Sequence, residues 1–147
     1  METCISIGRQ KIQFDREATC ELYRSTITVP GADSCGCLAC RNFAEQRQST
    51  FPKEFKTLLV RIGIDPFKEW EAFEFDQGIA ESKRRVYGGW FLFCGELVEG
   101  KDMHALDLPF SFCFSTSFPN ATLPHALKTC AVEFYVEIPW VLPEAPE

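Results

Sequence analysis

Between Phe51 and Ile62 the apolar residues Phe51, Phe55, Leu58, Leu59 and Ile62 fall at i, i+4, i+7, i+8 and i+11. That spacing draws one stripe along a helix and predicts an amphipathic helix with Ser49 or Thr50 as cap, Pro52 in its first turn and Gly63 at its exit. Downstream the period changes to two. Phe110, Phe112 and Phe114 alternate with Ser111, Cys113 and Ser115, and Val132, Phe134, Val136 and Ile138 alternate with Glu133, Tyr135 and Glu137. Alternation with one polar face predicts antiparallel strands over 109–118 and 131–141, each covered on one side. Residues 86–99 contain Trp90-Phe91-Leu92-Phe93-Cys94, apolar on both faces, and predict a central strand; 70–76 predicts another, rich in aromatics. Upstream, 12–14 is a short strand candidate. The stretch 22–29 ends in β-branched Thr26, Ile27, Thr28 and Val29 before Pro30-Gly31 and predicts a strand. Residues 41–48 predict a helical piece ahead of the main helix.

Together these elements predict an α+β fold, a twisted, mainly antiparallel β-sheet packed by one principal amphipathic helix. No internal repeat or low-complexity linker divides the chain, so 1–147 reads as a single domain with a C-terminal tail that frays from about residue 142, past Pro139.

Composition narrows the function. Fourteen phenylalanines and three tryptophans supply a core that needs no cross-links. A net charge of −6, with Lys83-Arg84-Arg85 as the one basic run, argues against a nucleic-acid partner. No apolar stretch reaches the roughly 20 residues of a spanning helix, and the first residues lack a signal-peptide pattern. No membrane association and a cytoplasmic location are therefore expected. In that compartment the eight cysteines read as buried thiols, metal ligands or redox groups rather than as disulfides.

Three of those thiols crowd into six residues, Cys35-Gly36-Cys37-Leu38-Ala39-Cys40. A tetrahedral structural zinc takes four thiolates or imidazoles, and this loop can offer three. The fourth must come from elsewhere, with Cys94, Cys113 and His104 as the main candidates and Cys20 and Cys4 behind them. An iron–sulfur cluster would need the same fourth group. A second reading is thiol chemistry, a thiol oxidoreductase or other cysteine-dependent enzyme using Cys37 or Cys40, because Cys37-Leu38-Ala39-Cys40 is a C-x-x-C beside Arg41. The βαβ surroundings of a thioredoxin-like motif are missing. A third reading leaves the loop as packed cysteines and places function at an apolar pocket near Trp90, where Gly88-Gly89 suggests a bulge or a close backbone approach.

The remaining candidates have plainer explanations. His104 and His125 read as loop histidines, not as half of a Cys–His nucleophile pair. Glu71, Glu74 and Asp76, Glu96 and Glu99, and Glu133 and Glu137 read as solvated strand faces rather than acid–base pairs. The segments Cys35-Gly36-Cys37-Leu38-Ala39-Cys40-Arg41-Asn42-Phe43, Phe51-Pro52, Gly63-Ile64-Asp65-Pro66, Tyr87-Gly88-Gly89-Trp90-Phe91 and Ile138-Pro139-Trp140 resemble those of an uncharacterised bacterial protein family. The resemblance spans about 35–142, implies a bacterial cytosolic domain, and brings no activity and no catalytic residue. The combined expectation is a small soluble binding or interaction domain with a zinc-holding cysteine loop. Its partner, whether protein or small molecule, and its oligomeric state are left open.

Overall fold

The structure is a computed structural model that describes residues 2–75, 84–101, 107–116 and 128–145. The chain forms an open antiparallel sheet with helices on one face, the α+β architecture that the two periodicities predict. Strands β1 (Glu2–Ile7) and β2 (Gln10–Asp15) make a hairpin around Gly8, whose φ of 59° is the left-handed turn conformation that glycine adopts without strain. Helix α1 (Arg16–Ser25) follows directly. A 3₁₀ turn (Gly31–Ser34) leads into the cysteine loop, and helices α2 (Leu38–Thr50) and α3 (Lys53–Ile62) come next. Strands β3 (Glu71–Glu74), β4 (Arg84–Glu99), β5 (Phe110–Ser115) and β6 (Thr129–Pro139) complete the sheet, in the order β1-β2-β4-β6-β5 with β3 on β4.

The first half of the stretch predicted as a strand over 22–29 instead belongs to α1. The Asp15 carboxylate accepts the Ala18 amide at 3.0 Å and caps the helix, and Thr19, Leu22 and Tyr23 form its buried face at i, i+3 and i+4. The β-branched run begins only where this helix ends. The predicted piece at 41–48 is the middle of α2, thirteen residues long. Pro52 separates α2 from α3: it pushes Phe51 to extended backbone (φ −98°, ψ 141°), so the first helix must stop at Thr50. Thr50 does not cap α3, since its hydroxyl donates back to the Gln46 carbonyl at 2.7 Å. Gly63 closes α3 as expected, with φ 101° and its amide donating to the Leu59 and Val60 carbonyls.

The stripe of α3 and the Phe43 face of α2 meet the phenylalanine face of the sheet. Phe51 packs on Phe91, Phe110 and Phe134, Phe55 on Phe110 and Phe112, and Phe43 on Tyr87 and Phe134. Strand β4 is the centre, pairing with β6 over Arg84–Cys94 and, along its other edge, with β3 at Tyr87–Trp90 and β2 at Gly95–Glu99. The edge between those two short partners is occupied by α1 side chains. The Tyr23 hydroxyl donates to the Leu92 carbonyl at 2.6 Å and the Cys94 amide donates to Thr19 Oγ1 at 3.0 Å. Gly88 and Gly89 reflect close approach, with the pairing register continuous through them. A Cβ on Gly89 would lie 2.2 Å from the Glu71 carbonyl, and one on Gly88 2.8 Å from the Phe73 ring.

Candidate metal centre

The cysteine loop is held at both ends by residues remote in sequence. Ahead of it, Glu69 is completely buried and takes a two-pronged contact from Arg47 of α2, Nε to Oε1 and Nη2 to Oε2, each 3.0 Å. The same carboxylate accepts the Ala32 amide at 2.9 Å, and the Glu69 carbonyl accepts the Gly31 amide at 2.7 Å. Arg47 also reaches Asp33 at 3.1 Å. The 3₁₀ turn is thereby fixed to α2 and to the chain entering β3. Behind the loop, the buried Tyr87 of β4 donates to the Ala39 carbonyl at 2.6 Å. Asn42, also buried, donates to the Tyr87 hydroxyl at 3.4 Å and to the Pro139 carbonyl at 3.2 Å, and accepts the Val141 amide at 2.8 Å.

Within this frame the sulfurs of Cys35, Cys37 and Cys40 all lie within 4.8 Å of one another. Cys37 is the N-cap of α2, and its sulfur accepts the Cys40 amide at 3.4 Å. The Cys35 thiol is held below its ordinary range, first by the Cys37 amide and then by the Cys37 and Cys40 thiols, with Glu71 opposing through its charge. Burial pushes the Cys40 thiol up. Cys35 and Cys37 are exposed and Cys40 is buried, so one side of the sulfur triangle faces the protein and the other faces solvent. Three soft donors at this spacing can bind a metal ion.

The other sequence candidates lie elsewhere. Cys94 is on β4 beyond Tyr87 by seven residues, about 23 Å of strand. Cys113 stands opposite Glu133 on β5, on the sheet face away from the helices. Cys20 is on α1 and Cys4 on the edge strand β1. His104 and His125 lie outside the described residues. Charged residues on or beside the strands form ion pairs: Arg84 with Glu137, Arg85 with Glu74, and Lys128 with Glu96. The tail is tied back by Arg41 to Glu144 at 3.0 Å and by Trp140 Nε1 to the Glu144 carbonyl at 2.6 Å.

Spacing alone could not reveal the supports of the loop. Glu69 looks like any other acidic residue, flanked by Lys68 and Trp70, and nothing in the local spacing marks it. No protein-family model, no curated protein and no solved structure matches this chain. Among the described residues no helix is long and apolar enough to cross a membrane.

Proposed function

We propose that the chain is a small binding domain organised by a metal ion, zinc, on Cys35, Cys37 and Cys40. The observation that carries this reading is the convergence of the three sulfurs within 4.8 Å on a loop clamped at both ends. The role is structural: an ion there ties the 3₁₀ turn to the first turn of α2, so that binding free energy adds to folding free energy. All eight cysteines are free thiols, which suits a reducing, cytoplasmic setting. Metal content of the untagged, desalted protein, with a thiol count before and after chelation, tests the proposal. About one zinc per chain with three protected thiols is the expected result; no metal and freely reactive loop thiols would overturn it.

One observation favours the thiol-enzyme alternative, the lowered pKa of the exposed Cys35. On that reading the nucleophile is Cys35 rather than Cys37 or Cys40, and a metal-free protein alkylates first at that position.

A further inference from the structure

The orientation of the sulfur triangle bears on what else the ion would bind. Cys40 is buried under the first turn of α2, which Tyr87 anchors through Ala39. Cys35 and Cys37 stand on the exposed side, and Gly36 between them is bare: a Cβ built on it meets nothing within 4 Å. Among the described residues, no side chain other than those of its neighbours Cys35 and Cys37 therefore lies against that residue of the knuckle. Among the described residues, the group of potential ligands at this place comprises only the three cysteines. The remaining thiols are committed to other parts of the fold; Cys130, for example, is buried in β6 and donates to the Ser115 carbonyl at 3.3 Å.

We infer that an ion held by Cys35, Cys37 and Cys40 keeps its fourth coordination position open to solvent, and that a low-molecular-weight thiol fills that position. This inference rests on the metal reading above. Three sulfur ligands, two of them exposed, leave one tetrahedral position to be completed by an exogenous ligand while the ion still ties the loop to α2. The ligand class follows from softness: a sulfur donor matches the three already present, whereas a hard oxygen anion does not. The incoming thiol coordinates as thiolate and releases its proton to solvent; no electron is transferred.

The test uses cobalt(II) as a spectroscopic stand-in for zinc in the full chain, reduced with a phosphine so that no thiol is present at the start. Titration with 2-mercaptoethanol follows. The expected result is one cobalt per chain, then a saturable rise of the sulfur-to-cobalt charge-transfer band, from the intensity of three thiolates to that of four, with the ion retained. A His104→Ala/His125→Ala double variant should behave identically. A band that ignores 2-mercaptoethanol, a thiol that strips the ion, or a wild-type spectrum altered by the histidine substitutions would overturn the open position while leaving the metal site standing. Absence of any charge-transfer band on cobalt addition would remove the metal reading itself.

Discussion

The Tyr87 hydroxyl donates to the Ala39 carbonyl at 2.6 Å, joining the centre of the sheet to the first turn of α2 one residue before Cys40. A buried ring thus sets the position of one sulfur of the candidate metal site through a single hydrogen bond.

Replacing Tyr87 by Phe keeps the ring and removes that bond. The expected loss of stability is about 1–2 kcal/mol, the usual value of a buried hydrogen bond with some unsatisfied polar surface left behind. Zinc affinity should fall by about tenfold, the lower end of what removing a ligand-orienting partner costs. Urea denaturation of the metal-free protein and competition with a chromophoric chelator measure the two effects separately.

Glu69→Gln tests the other clamp. Arg47 would keep an acceptor but lose a buried counter-charge, and destabilisation by about 3 kcal/mol is expected. Asp33→Asn removes a more exposed partner of the same arginine and should cost less than about 1 kcal/mol. Equal effects in chemical denaturation would refute the special role assigned to the buried carboxylate.

Zinc at a hundred times its Kd should stabilise the native chain by about 2.7 kcal/mol. For a domain of this size that is a rise in Tm of roughly 5–10 °C. Cys35→Ser, Cys37→Ser and Cys40→Ser should each abolish the zinc-dependent part of the melting temperature. Cys94→Ala and Cys113→Ala should preserve it, even where they lower the baseline. A zinc shift lost in Cys94→Ala would contradict the placement of that residue on the far stretch of β4.

All three tyrosines titrate above the ordinary value near 10, chiefly through burial: Tyr23 and Tyr135 are well above it and Tyr87 is pushed up to about 12. Their folded-state values exceed the unfolded ones, so this contribution to stability is complete below about pH 10 and is lost as pH rises toward the folded values. Phenolate absorbance near 295 nm should therefore appear well above pH 10 and together with loss of the near-ultraviolet circular dichroism. A single titration centred at 10 in the folded protein would show that the rings are not buried.

The parts of this fold that follow from local spacing were legible in the sequence. The stripe from Phe55 to Ile62 and the alternations ending at Phe114 and Ile138 each describe one element against one neighbour, whereas Phe51, the first residue of the predicted stripe, lies in the extended link before α3. Helix α1 was not legible because its apolar face is short and the β-branched Thr26–Val29 run dominates the same window, while the decisive signal is the single cap Asp15. The sulfur cluster was visible because its three members lie within six residues. Its clamps were not, since Glu69 and Tyr87 reach it from 32 and 47 residues away from Cys37 and Cys40 respectively, through contacts that only the tertiary structure creates.

The gap along β4 between β2 and β3 has a consequence for association. A strand that leaves Leu92 and Cys94 backbone groups unpaired would offer a template for another chain to extend the sheet. Tyr23 and Thr19 occupy those groups instead, so a helix supplies the missing rungs and denies an intruding strand its footing.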